Sequence, residues 1–129
     1  NANSTSFTSY HWANSGPYAF GSYEGNGNAD GPMINVGGSP QQIAFKNIDA
    51  VAHWVLNAQP LESGNPATAE LLMNTTAAGG SNADLDFLST GVKHRTVNGA
   101  DQNGAYTYIY GAFGIQPLTD SAVNQGRAK

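Results

Sequence analysis

Apolar and polar residues alternate along this chain in short runs, each broken by Gly, Asn, Ser or Pro. Alternation with a period of two is the mark of a half-buried strand. Phe7–Trp12 alternates in this way, and so does Tyr18–Tyr23 after the turn at Asn14–Pro17. Met33–Val36 is a short strand. Ile43–Ile48 and Val51–Leu56 read as a pair joined around Asn47–Ala50. In the second member Val51, His53 and Val55 share one face, and Ala52, Trp54 and Leu56 share the other. Apolar groups on both faces place that strand inside a sheet rather than at its edge. Pro66–Met73 is the one helical prediction, with Asn65 as N-cap and Pro66 at the first helical position. Leu85–Leu88 and Val92–Val97 flank a turn or bulge at Ser89–Gly91.

The densest aromatic run closes the pattern. Tyr106, Tyr108, Tyr110 and Ala112 line one face of a strand, and Thr107, Ile109, Gly111 and Phe113 line the other. The loop before it, Asn98–Gly104, carries two Asn-Gly pairs, a hairpin signal. The stretch Asp84–Phe113 is therefore expected to form the core hairpin. About eight short strands separated by turn clusters predict an all-β fold: an antiparallel β-sandwich, jelly-roll or lectin-like, with one short helix. A single domain is expected over residues 1–117, with a polar tail over 118–129.

Composition narrows the function classes. Of 129 residues only 11% are charged, against 40% hydrophobic, and the net charge is -4. The cations are Lys46, Lys93, Arg95, Arg127 and Lys129, too few for a basic face, so nucleic acid is not an expected partner. Cysteine is absent, which excludes disulfides and thiolate metal sites. No apolar run is long enough to insert in a membrane as a helix. The first residue is Asn1 and no signal-peptide pattern follows, so a fragment or processed product is expected.

Candidate chemistry is sparse. Asn26, Asn28, Asp30 and Gly31 match the first half of a calcium loop, but the twelfth position would be Gly37 and not a bidentate Glu. The run Gly25–Pro32 reads as turn chemistry. No two of His11, His53 and His94 have metal-ligand spacing, and neither a metal nor a cofactor is expected. His53, among apolar neighbours, reads as a packed or hydrogen-bonded side chain. His94 between Lys93 and Arg95 reads as part of a small cationic surface spot, with Asp84 or Asp86 as a partner carboxylate in the alternative. Asp84 and Asp86 share a strand face, as acid/base pairs do, yet they begin a strand beside a turn, where Asp accepts backbone hydrogen bonds. No G-x-S-x-G elbow exists, and no enzyme activity is expected. The aromatic residues carry more weight. Trp12, Trp54, Tyr106, Tyr108 and Tyr110 suit stacking on sugar rings, and equally suit a packed core or a subunit interface.

The order of segments resembles a known family. Phe20-Gly-Ser-Tyr-Glu-Gly-Asn-Gly-Asn-Ala-Asp-Gly-Pro32, Leu71-Leu-Met-Asn-Thr-Thr76, Asp86-Phe-Leu-Ser-Thr-Gly-Val-Lys93 and Tyr106-Thr-Tyr-Ile-Tyr-Gly-Ala-Phe113 occur in sequence. Together they are similar to the C-terminal β-sandwich module of tail and fibre-type structural proteins of tailed bacteriophages, over about Tyr18–Pro117. The resemblance implies a lectin-like sandwich in a virion appendage, assembled as a homo-oligomer, a trimer in the usual case. It also implies contacts with other virion proteins and host-surface attachment, with a glycan as the candidate receptor. The chain departs from the family pattern at His94 and Arg95, and Leu118–Lys129 has no counterpart in it. The alternative reading is a carbohydrate-binding module of a secreted bacterial protein.

Overall fold

Strand alternation dominates the computed structural model, which describes residues 9, 11–62, 64–81 and 84–117. Of the expected strand Phe7–Trp12, residues 7, 8 and 10 fall outside the described residues, and Ser9, His11 and Trp12 belong to no strand; the tail 118–129 also lies outside them. The strands are β1 (Tyr18–Glu24), β2 (Met33–Asn35), β3 (Gly38–Ser39), β4 (Gln42–Asn47), β5 (Trp54–Ala58), β6 (Leu71–Leu72), β7 (Leu85–Leu88), β8 (Gly91–His94), β9 (Thr107–Phe113) and β10 (Gln116–Pro117). They build a five-stranded sheet in the order β1-β9-β4-β5-β6, a three-stranded sheet β2-β8-β7 and a small β10-β3 ribbon. Every pairing is antiparallel. The fold is an all-β antiparallel sandwich, with one short helix among the described residues, α1 (Gly99–Gln102).

The two larger sheets meet through alternate residues. Ile43 and Phe45 of β4 and Ala112 of β9 pack against Ile34 of β2, Leu85 of β7 and Val92 of β8. Tyr23, Tyr110 and Phe87 border this core. Burying such side chains contributes roughly 1.5–3 kcal/mol each, which makes this layer the main source of stability.

Two expectations fail. Pro66–Met73 is not a helix. The Asn65 side chain, expected to cap it, instead binds the backbone of Phe87. Ala67 bridges to Leu85, and the Thr68 and Ala69 amides donate to the Glu62 carboxylate. Glu70 bridges to Gly80, and Leu71 and Leu72 pair with β5. With these amides engaged by distant partners, no i to i-4 ladder forms.

The core hairpin across Asn98–Gly104 does not form either. β8 pairs with β2 and β7, whereas β9 sits between β1 and β4 in the other sheet. The link between them crosses the sandwich. Asn98 takes a left-handed conformation (φ 39°) and Gly99 follows at φ 49°, so the Asn-Gly pair starts α1 instead of a tight hairpin.

Candidate functional site

β9 sorts the expected aromatic residues by face. On the inner face, register places Tyr23, Tyr108 and Asn47 in one row and Gly21, Tyr110 and Phe45 in the next. Tyr108 is fully buried and stacks on Tyr23, with centroids 5.0 Å apart and planes within 13°. Its hydroxyl accepts the Gly104 amide at 2.9 Å and lies 3.2 Å from the Ala100 carbonyl. Tyr110 is half-buried against the core, its ring lying over Gly21, where a Cβ would come within 2.9 Å of the hydroxyl. Desolvation holds both phenols above their usual range. Tyr106 precedes the strand and is 39% exposed. The expected row Tyr106-Tyr108-Tyr110 is thus divided: Tyr108 is buried, Tyr110 packs half-buried against the core, and Tyr106 lies outside the strand.

Trp12 and Trp54 lie on the opposite, outer face of the five-stranded sheet. Val55 points into the core, so Trp54, one residue earlier and paired with Lys46, points out. Trp12 stacks on Phe20 at 5.5 Å, and Phe20 meets Phe113 edge-on at 5.6 Å. Gly111 makes room for these rings, because a Cβ there would lie 3.0 Å from Phe20 and 3.3 Å from Phe113. Across the strands, Phe20, Gly111, Ala44, Leu56 and Leu71 form a continuous row. Beside it run Ser22, Ile109, Lys46 and Trp54. Lys46 is the one cation in these rows, and its ammonium donates to the Ala52 carbonyl at 3.1 Å. Tyr18, Trp54, Leu71, Met73 and Ile109 are all exposed. The result is a nearly neutral apolar face with aromatic groups toward both sides. Ile109, Leu56, Leu71 and Phe20 were missed as site residues. The available signal was the second face of β9, apolar at Ile109 and Phe113.

The remaining polar candidates are engaged within the fold. His94 is corrected: it is fully buried, stacked 5.4 Å from Tyr23 and 5.1 Å from Phe45, with neither ring nitrogen hydrogen-bonded. Burial pushes its pKa down to about 4. Its neighbours face the other way, as strand geometry requires: Lys93 pairs with Asp30 at 2.8 Å, and Arg95 pairs with Asp86. His53 Nδ1 lies 3.4 Å from Asn74 Oδ1. In the Gly25–Pro32 turn, Asn26 and Asn28 Oδ1 accept the Asn28 and Asp30 amides. The Lys93 ammonium, by hydrogen bond and by charge, holds the Asp30 carboxyl below its usual range. Among the described residues no three His, Asp or Glu side chains gather as a metal site would require.

At the α1 end, Gln102 donates to Asn57 Oδ1 at 2.9 Å, and Asn98 donates to Glu70 at 3.1 Å. Desolvation raises the Glu70 pKa. These groups bind one another and tie α1 to the sheets.

Among the described residues, the fold is a small antiparallel β-sandwich with an apolar outer surface on its five-stranded sheet. The chain belongs to a family described as a domain of unknown function, DUF7483, whose model matches residues 1–117. No curated protein and no solved structure matches it.

Proposed function

We propose that this chain is a non-enzymatic structural module of a tailed-bacteriophage virion, in a tail fibre or another tail appendage, serving subunit assembly and attachment to the host surface. The observation that carries the assembly role is the outer face of the five-stranded sheet, where Tyr18, Ile109, Trp54 and Leu71 stay exposed on a sheet with almost no charge. Large apolar faces of this kind mark contact surfaces. The ordered resemblance from Phe20 to Phe113 supports the virion setting. A homotrimer is the expected assembly.

Native mass spectrometry of the full chain tests this reading. The expected result is a mass three times that of the 13.4 kDa chain. A chain that stays monomeric at the highest attainable concentration rules the reading out. An antiserum against the chain should also label appendages on purified particles.

The second reading, a carbohydrate-binding module, draws on Trp12 and Trp54 sharing that face. It predicts glycan-array binding by a monomer, lost in Trp54→Ala. The polar side chains on that face are Ser22, Glu24, Gln42, Lys46 and Thr107, of which Lys46 is bound to the Ala52 carbonyl and Thr107 to Glu24, and this engagement within the chain favours the assembly role over sugar binding.

A further inference from the structure

An antiparallel sandwich ends in strand edges, and an open edge offers its backbone to a strand of any second copy. Of the outer strands of the two larger sheets, β1 has seven residues, β7 four, β2 three and β6 two. The two longest each carry an asparagine where a neighbouring strand would lie. In an antiparallel pair, two opposed residues exchange an N–H···O bond in both directions. The Asn14 side chain does this alone for Phe20 of β1: its Oδ1 accepts the Phe20 amide at 2.5 Å, and its Nδ2 donates to the Phe20 carbonyl at 3.0 Å. Asn65 does the same for Phe87 of β7, at 2.8 Å and 3.2 Å.

Both asparagines are held at their edges by their own surroundings. Asn14 heads the turn that feeds β1. Gly16 at φ 58° reverses the chain there, the Tyr18 amide donates to the Ser15 carbonyl at 3.3 Å, and Trp12 stacks on the Phe20 ring at 5.5 Å. Asn65 stands two residues before Ala67, which exchanges two backbone hydrogen bonds with Leu85, at 2.8 Å and 2.9 Å. Leu85 and Phe87 are the alternate residues whose amides and carbonyls point away from β8, so both outward positions of β7 are taken. On β1 the outward row is Tyr18, Phe20, Ser22 and Glu24. Asn14 sits within that row, and a second strand cannot run along β1 without displacing it.

We propose that Asn14 and Asn65 are edge caps: each side-chain amide stands in for an incoming strand and so keeps the edge of β1 or β7 from pairing with a second copy of this chain. The inference goes beyond the assembly reading. It concerns the edges alone and holds whichever surface joins the copies.

The test follows the full chain and the variants Asn14→Ala, Asn65→Ala, Asn14→Lys and Asn28→Ala by sedimentation velocity and amide hydrogen exchange, with circular dichroism melting to verify that each folds. Asn28 is the control: its side chain accepts the Asp30 amide in an exposed turn, so its loss removes a hydrogen bond and opens no edge. Exchange at the Phe20 amide should quicken at least about tenfold in Asn14→Ala, and that at Phe87 likewise in Asn65→Ala. Each of these two variants should also form species larger than the parent's own assembly. Asn14→Lys loses the same two bonds but sets a charge on the edge, so exchange at Phe20 should quicken while the size stays that of the parent. An alanine variant that stays at the parent's size overturns the proposal for its edge. Growth of Asn28→Ala or Asn14→Lys equal to that of Asn14→Ala overturns it altogether, because general loss of stability would then drive the growth. A monomeric parent whose alanine variants grow removes the assembly reading and leaves the caps standing.

Discussion

The two faces of β9 carry similar side chains and meet different fates. Tyr108, Tyr110 and Ala112 point into the sandwich, and Ile109 and Phe113 point out of it. Both faces use a glycine to seat an aromatic ring: Tyr110 lies over Gly21 inside, and Phe20 over Gly111 outside. What separates them is the second sheet, which covers only one. Hydrophobicity alone therefore does not define the core. A face becomes core when another layer removes it from water, and an equally apolar face without that layer is available to a partner. Substitutions on the two faces should differ accordingly. Phe45→Ala, at the centre of the covered face, should cost about 3–5 kcal/mol of folding stability in urea denaturation. A loss below about 1 kcal/mol would mean that the two sheets do not pack as described.

The sheet that covers this face contributes an ionisable group, His94 of β8, whose ring packs on Tyr23 and Phe45 with no hydrogen-bond partner. His94 is neutral in the fold, with a pKa near 4 against 6.5 for the free side chain. The unfolded chain thus binds a proton between these values that the folded chain does not. Stability is full above about pH 6.5 and falls as pH drops toward 4, by about 3 kcal/mol in all. Glu70, whose pKa burial raises, acts in the opposite direction over part of that window. The difference between the parent and His94→Leu isolates the histidine. The variant breaks no hydrogen bond, because neither ring nitrogen has one. Its stability curve should be flatter from pH 6.5 to 4 and no lower at pH 8. Parallel curves would place His94 in contact with water.

This histidine shows how far the sequence could be read. Lys93 and Arg95 on either side suggested a cationic surface spot, but in a strand the flanking residues face away, so their exposure implies that His94 is inward. Period-two alternation located β1, β2, β4, β7, β8 and β9, because that signal is local; β5 begins later than the pattern suggests, since the expected strand Val51–Leu56 starts only at Trp54 and Val51 is fully exposed. Which strands share a sheet is not local. Asn98-Gly99 looked like a hairpin turn and opens α1, because Gln102 is drawn inside to Asn57. Asn65-Pro66 looked like a helix start, yet the Asn65 amide completes a strand 22 residues away. Of the candidate contact residues, Trp12 and Trp54 occupy the open face, while Tyr108 and Tyr110 do not. An apolar pattern on both faces of a strand cannot tell which face the other sheet will cover.

The edge asparagines mark the boundary between these regimes, since they substitute for a strand that is not there. Asn65→Ala removes two hydrogen bonds to Phe87, at 2.8 Å and 3.2 Å, from an exposed edge. The expected cost is about 1–2 kcal/mol, a fall of several degrees in melting temperature. Hydrogen exchange at the Phe87 amide should quicken, and the freed edge should make the variant prone to aggregate. An unchanged Phe87 exchange rate would show that the clamp is not formed in solution.

The smallest effect belongs to the open face. Ile109→Thr keeps a β-branched side chain in a strand, so β-propensity is nearly preserved. Ile109 is 38% exposed in the single chain, and its loss opens no cavity between the sheets. Folding stability at a dilution where the chain is monomeric should change by no more than about 0.5 kcal/mol. At concentrations where copies associate, the same substitution should lower the apparent melting temperature, because binding among folded chains adds stability by mass action. Only a residue that is peripheral to one chain and central between chains combines an effect that grows with concentration and a null result on dilution. An equal loss at every concentration would instead put Ile109 among the residues that hold the sandwich itself together.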